Sequence, residues 1–209
     1  MPSLLALKLQ RRQAASAKAG VIIIYSMNIV LIGYRGAGKS AVGRKLAERL
    51  QRGFVDTDDL IEADYGAPIS KMVISHGWNH FRRQEKRIIK EISKENNLII
   101  ATGGGAVLDT DNVNALRRNG FIIWLKAASQ VLLKRIINDP QTFDRRPSLK
   151  GNGVLEEIEE VLAFRNGFYE EAAAIQLDTS DMDVEAAVEH IVAIFDEKAS
   201  NCFKGSGVV

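Results

Sequence analysis

Eight consecutive residues, Gly33-Tyr34-Arg35-Gly36-Ala37-Gly38-Lys39-Ser40, match the spacing G-x-x-x-x-G-K-[ST] at every fixed position. Each residue type has a task in holding a polyphosphate. Glycines let backbone N–H groups turn inward around phosphate oxygens, and a helix that follows presents its positive end to the same anion. Lys39 places a point charge on the β and γ phosphates, and the Ser40 hydroxyl is a ligand for Mg²⁺. With glycine near its usual frequency, chance yields the bare pattern in roughly one chain of this length in a hundred. Here it also lies between an apolar run and a helical pattern, which is the context that confirms it.

Four further groups of residues could complete a site. Asp56-Thr57-Asp58-Asp59 ends a short apolar segment. If that segment stays extended, Asp56 and Asp58 share a side, one for a metal shell and one for an acceptor hydroxyl. A plainer role is open to Asp58 or Asp59, as N-cap of a helix starting near Leu60. In Phe81-Arg82-Arg83-Gln84-Glu85, Arg82 and Glu85 are three apart on a helix and can pair. Gly103-Gly104-Gly105 closes another apolar run, exposing backbone N–H groups and allowing close approach of a ligand. Asp144-Arg145-Arg146-Pro147 lies in a polar loop, where a mobile arginine can neutralise charge on a transferring phosphoryl group. His76, His80 and His190 lack metal-ligand spacing, and Trp78 and Trp124 read as packing residues rather than base-stacking platforms.

The elements that must position these residues follow from periodicity. Strands are expected at Asn28–Ile32, Gly53–Val55, Leu98–Ala101, Phe121–Leu125 and Ile175–Leu177. Helical patterns occupy Gly38–Gln51, Leu60–Glu95 with breaks at Gly66-Ala67-Pro68 and Gly77, Asp109–Asn119, Gln130–Ile137, Leu155–Ala174 and Val184–Lys198. Short continuous apolar strands alternating with helices predict an α/β fold with a parallel sheet covered on both faces. In such sheets ligands sit beyond the carboxyl ends of the strands, where the phosphate loop, Asp56, Thr102 and the glycine run all fall.

Composition narrows the class. The 209 residues are 46% hydrophobic and 26% charged, which excludes general disorder and a collagen-like fibre. Lys and Arg number 28 against 26 Asp and Glu, so no footprint for duplex nucleic acid is present and no nucleic-acid partner is expected. The single Cys202 has no partner for an intramolecular disulfide, consistent with a reducing cytoplasm. No membrane span is expected, because the near-apolar stretch Val21–Ile32 is too short for a bilayer and is interrupted by Ser26 and Asn28. Residues 1–26 contain Lys8, Arg11, Arg12 and Lys18 and no acid. That suits a targeting peptide or a basic tail, and a disordered extension before Met27 is the simpler expectation.

The series G-Y-R-G-A-G-K-S, D-T-D, F-R-R-x-E, T-G-G-G-A-V, R-R-P and an arginine four residues before Tyr169 resembles the shikimate kinases, in order and spacing, from Asn28 to about Lys198. The resemblance implies a three-layer α/β/α P-loop kinase with a five-stranded parallel sheet in order 2-3-1-4-5. It implies transfer of the ATP γ-phosphate to the 3-hydroxyl of shikimate with Mg²⁺. It assigns ATP contacts to Gly36, Ala37, Gly38, Lys39, Ser40 and Ala41, with Ser40 on the metal and Asp56 supporting it through water. Asp58 becomes the base. Arg82 and Arg165 bind the shikimate carboxylate, and Gly103, Gly104 and Gly105 approach the substrate through their backbone. Arg146 becomes a lid arginine touching ATP and substrate, and Arg135 stacks on adenine.

The chain departs from the family pattern at Trp78-Asn79-His80 after Gly77, at Ser148-Leu149 after Pro147, and at Asn166-Gly167-Phe168-Tyr169. None of these removes a residue with a chemical role. The resulting organisation is a single kinase domain over residues 27–198, with substrate-binding helices at about 57–95, a lid at about 139–153 and a tail at 199–209. A monomer is expected. Two rivals remain open at this level: another small-molecule P-loop kinase of the gluconate type, and a non-catalytic nucleotide-sensing module, which should have lost Asp58 or Arg146.

Overall fold

A computed structural model describes residues 27–139 and 153–205. Five strands, β1 (Asn28–Ile32), β2 (Gly53–Asp56), β3 (Leu98–Ala101), β4 (Gly120–Lys126) and β5 (Ile175–Asp178), form one sheet in the order β2-β3-β1-β4-β5. Every pairing is parallel. Among the described residues eight α-helices surround it: α1 (Lys39–Leu50), α2 (Thr57–Tyr65), α3 (Ile69–His76), α4 (Trp78–Ile92), α5 (Thr110–Arg118), α6 (Ser129–Ile137), α7 (Val154–Ala172) and α8 (Val184–Gly205).

The central strands are largely apolar because both faces of the sheet are covered, whereas Gln176 and Asp178 of the edge strand β5 are exposed. β1 and β3 are buried at every position. Alternation along β1 divides the core in two. Val30 and Ile32 join a cluster with Ile61 of α2, Met72 of α3, Phe81 of α4 and Leu116 of α5. Ile29 and Leu31 face the other way, toward Leu46 of α1, Leu132 of α6 and Ile191 of α8. Helix α7 belongs to both layers: Ile158 lies in the second cluster, and Tyr169 and Ala172 lie in the first. At 19 residues it is long enough, about 28 Å, to pass from one face of the sheet to the other. Arg165 sits between its two apolar anchors.

One local expectation is corrected. The segment after β2 is not extended through Asp58, and the helix does not wait until Leu60. Asp56 itself is the N-cap, accepting a hydrogen bond from the Asp58 N–H at 3.0 Å, so α2 starts at Thr57. An aspartate at the end of a strand followed two residues later by a free N–H satisfies one of the helix's orphan donors at once. Asp56 and Asp58 still reach the same cavity, through a helical turn rather than β alternation.

Candidate active site

Register brings the carboxyl ends of the strands to one edge: Asp56 of β2 lies opposite Ala101 of β3, and Ile32 of β1 opposite Trp124 of β4. A cavity of about 840 Å³ opens there. Arg135, Thr179 and Met182 line one end of it, the loop from Tyr34 to Ser40 its middle, and Trp78, Arg82 and Arg165 the other end.

The loop after β1 leads into α1 through Gly38, which has a φ of 90° and provides no side-chain cap, so the N-terminus of that 12-residue helix lines the cavity. Lys39 Nζ donates to the Tyr34 carbonyl at 2.9 Å, spanning the loop. The Ser40 hydroxyl donates to Asp56 Oδ2 at 2.6 Å. Burial, and next the neighbouring Asp58 carboxylate, push the Asp56 carboxyl above the usual aspartate range, while the Ser40 hydrogen bond pulls the other way. A carboxylate crowded in this way gains from a cation at its side. Ser40 and Asp56 place two hard oxygen groups side by side, the donor type that suits Mg²⁺. Among the described residues no set of three or more His, Cys, Asp or Glu side chains could hold a metal.

The other end of the cavity is built around the glycine run. The buried Thr57 hydroxyl accepts the Gly103 N–H at 2.9 Å, tying the start of α2 to the end of β3. A side chain on Gly103 would lie 2.7 Å from Asp58 Oδ1 and 2.9 Å from Glu85 Oε1, so two carboxylates pass directly across that backbone. Asp58 Oδ1 is shielded from solvent and has no hydrogen-bond partner among the described residues. Arg82 Nη1 donates to Glu85 Oε2 at 2.5 Å, and Glu85 is 1% exposed. The guanidinium of Arg82 lies over Gly105, where a Cβ would come within 2.8 Å of its Cζ. From the opposite side, Arg165 Nη1 and the Tyr169 hydroxyl both donate to the Gly104 carbonyl, at 3.2 and 2.5 Å.

The residues singled out from the sequence are thus gathered with some redistribution. Gly36, Ala37, Gly38, Lys39, Ser40, Ala41, Asp56, Asp58, Arg82, Gly104, Arg135 and Arg165 all line the one cavity. Gly103 and Gly105 lie behind it: the Gly103 N–H is committed to Thr57, and Gly105 makes room for Arg82. The in-plane donors of Arg135 bind Gly36 O, Thr179 Oγ1 and Thr179 O, which fixes the plane of its guanidinium beside the phosphate loop. Arg146, and all but the end residues of the expected lid, fall outside the described residues. Trp124 packs as expected, stacked on Tyr169 at 5.5 Å. Trp78 does not: it is 49% exposed at the rim of the cavity, its ring edge-on to Phe81.

Sequence reasoning missed Thr57, Tyr169 and Arg35. Tyr169 had a readable signal. Ile158, Leu162, Arg165, Tyr169 and Ala172 follow 4-3-4-3 spacing, so Arg165 falls on an apolar stripe where an arginine needs a reason.

Comparison with known proteins adds what geometry cannot. The family model for shikimate kinase matches residues 35–196. A shikimate kinase of Symbiobacterium thermophilum is 44% identical over 172 residues, 82% of this chain and 98% of that protein. The chain belongs to the shikimate kinase family. Among solved structures, a shikimate kinase from Acinetobacter baumannii in complex with shikimate aligns with a TM-score of 0.77 and 31% identity, covering 83% of this chain and 94% of that one. A gluconokinase from Sinorhizobium meliloti shares the fold at a TM-score of 0.55 and 18% identity, a likeness of fold alone. Family membership therefore favours a shikimate kinase over the gluconate-type kinase that the phosphate loop alone leaves open.

Proposed function

We propose that this protein transfers the γ-phosphoryl group of ATP to the 3-hydroxyl of shikimate, giving ADP and shikimate 3-phosphate, within residues 27–198. The observation that carries the reading is the single cavity joining the phosphate loop to Asp58 and to an arginine pair on either side of Gly104. Phosphoryl transfer asks for alignment and charge neutralisation more than covalent help. Lys39 and the open end of α1 receive the phosphates. Arg135 fixes the nucleotide end. Asp58 orients the acceptor hydroxyl, and its shielded Oδ1 takes the proton. Mg²⁺ bound by Ser40, and through water by Asp56, would supply charge neutralisation on the β and γ phosphates. The family resemblance gives Arg146 the task of closing over ATP and acceptor.

Arg82 and Arg165 meet the acceptor's carboxylate. Glu85 holds Arg82 from one side, and the Gly104 carbonyl holds Arg165 from the other, so both forks are aimed before the ligand arrives. Arg165→Lys keeps the charge but loses the fork. With about 1.5–3 kcal/mol for a charged hydrogen bond, the substitution weakens shikimate binding roughly 10- to 150-fold and leaves ATP binding unchanged. Calorimetric titration of both ligands reads this. Wild-type shikimate affinity in the variant would place the carboxylate elsewhere.

A further inference from the structure

Arg35 is the third residue of the phosphate loop, a position with no fixed residue in the G-x-x-x-x-G-K-[ST] pattern. Its side chain lines the same cavity as Asp58, Arg82, Gly104 and Arg165. Its Nε and Nη1 are shielded from solvent and meet no hydrogen-bond acceptor among the described residues. A shielded donor on a charged group costs more than a neutral one when left unpaired, so a guanidinium kept in this state implies an anion that completes it. The other two arginines at this end each have a terminal nitrogen held by a protein acceptor, Glu85 for Arg82 and Gly104 O for Arg165, although Arg165 Nε is likewise shielded without an acceptor among the described residues. Of the three, only Arg35 makes no hydrogen bond from its guanidinium to the described residues.

The location of Arg35 says which anion. Its backbone N would lie 3.6 Å from a Cβ on Gly104, and that same Cβ would be 3.3 Å from the Gly33 carbonyl. The phosphate loop and the acceptor loop therefore abut at Arg35. One residue earlier, the Tyr34 carbonyl accepts Lys39 Nζ, the phosphate-binding cation. Arg35 is rooted where a group leaving the phosphates must pass to reach the acceptor.

We infer that Arg35 is a further catalytic residue, one that donates to the phosphoryl group in transit and then to the phosphate ester of the product; this rests on the proposed activity. In the step itself, the acceptor 3-hydroxyl oxygen bonds to the γ-phosphorus while the bond from that phosphorus to the β,γ-bridging oxygen breaks. ADP departs with the electron pair, and the hydroxyl proton passes to Asp58. Lys39 serves the phosphates of ATP, and Arg82 and Arg165 serve the carboxylate, so Arg35 discriminates phosphorylated from unphosphorylated acceptor. It thereby makes this chain bind its product more tightly than its substrate.

The test uses the full chain, wild type against Arg35→Met and Arg35→Gln, titrated separately with shikimate, ADP and shikimate 3-phosphate. The expected result is a loss of product affinity of about 10- to 150-fold, the worth of one charged hydrogen bond, with shikimate and ADP affinities within about 3-fold of wild type. A second readout is independent of folding effects. The phosphorus resonance of bound shikimate 3-phosphate is followed against pH. In wild type the second ionisation of the bound ester, near 6 when free, is depressed, and in Arg35→Met it moves back toward the free value. Unchanged product affinity overturns the inference. So does an equal loss of shikimate and product affinity, which would make Arg35 a carboxylate ligand. If Arg35→Met does not fold, the same titrations on Arg35→Gln decide. A wild-type chain that binds neither shikimate nor its phosphate overturns the proposed activity itself, and the inference with it. That outcome is distinct from a wild type that binds both and a variant that behaves identically.

Discussion

The substitution Gly105→Ala isolates the carboxylate site from the fold. Gly105 has a φ of −107° and a ψ of 3°, a conformation that alanine adopts without strain. The added methyl would lie 2.8 Å from Cζ and Nη1 of Arg82, and closer to Nη2. Ordinary contact between non-bonded heavy atoms needs about 3.5–4.0 Å, so the guanidinium must retreat by about 1 Å. Because the clash falls on the end of a flexible side chain, backbone packing survives, and the Arg82–Glu85 pair is stretched rather than removed. A displacement of 1 Å misaligns the fork toward a carboxylate and costs about 1.5–3 kcal/mol of binding, or 10- to 150-fold in shikimate KM. The KM for ATP stays at its wild-type value, because Arg82 and Gly105 are not in the phosphate loop. Steady-state kinetics on a double-mutant cycle makes the reasoning sharp. If alanine at 105 acts only by moving Arg82, then Arg82→Ala and the pair Arg82→Ala/Gly105→Ala have the same shikimate KM. Multiplying effects, or a Gly105→Ala enzyme with normal KM, would refute the steric argument.

Two other outcomes follow from the same geometry. Thr57→Val keeps shape but removes the acceptor of the buried Gly103 N–H, costing about 1–3 kcal/mol and lowering the melting temperature by about 2–4 °C per kcal/mol; an unchanged melting curve would show that Thr57 only fills space. Asp56 carries a raised carboxyl, so without nucleotide or divalent cation the folded protein loses stability as pH rises from the ordinary aspartate value of 3.8 through the raised one. Asp56→Asn retains an N-cap, removes that loss, and is expected to melt higher than wild type at neutral pH, with the difference vanishing below pH 4, while turnover collapses; thermal scans across pH without ligands check it.

Local chemistry was legible in the sequence to the extent that it was contiguous. The phosphate loop spells itself out in eight residues because one turn performs the whole task. Asp56 and Asp58 were visible as residues, yet the reason first given for them failed: a helix cap, worth about 1 kcal/mol, outcompetes continued extension. What could not be read was distance across the sheet. The adjacency of β2 and β3 puts Thr57 and Asp58 on Gly103, 46 and 45 positions away in sequence. The crossing of α7 puts Tyr169 on Gly104, 65 positions away. Nothing in the glycine run shows whether its openness serves a ligand or the enzyme's own side chains. For Gly103 and Gly105 it serves the side chains; Gly104 alone of the three faces the cavity. Arg35 went unremarked because its position in the loop pattern admits any residue. Its significance appears only when two shielded donors are found without acceptors among the described residues.

The most direct measurement is ADP release by the full chain with Mg²⁺ and ATP, coupled to a spectroscopic readout, with shikimate, quinate, gluconate and AMP offered separately. The account predicts rapid release with shikimate. Gluconate and AMP should stay near the acceptor-free rate, because neither presents a ring carboxylate to Arg82 and Arg165 while holding a hydroxyl at Asp58. Quinate, with a carboxylate but an altered ring, should turn over more slowly than shikimate. Release that is equally fast with gluconate or AMP, or that does not respond to shikimate, would contradict the assignment of the acceptor.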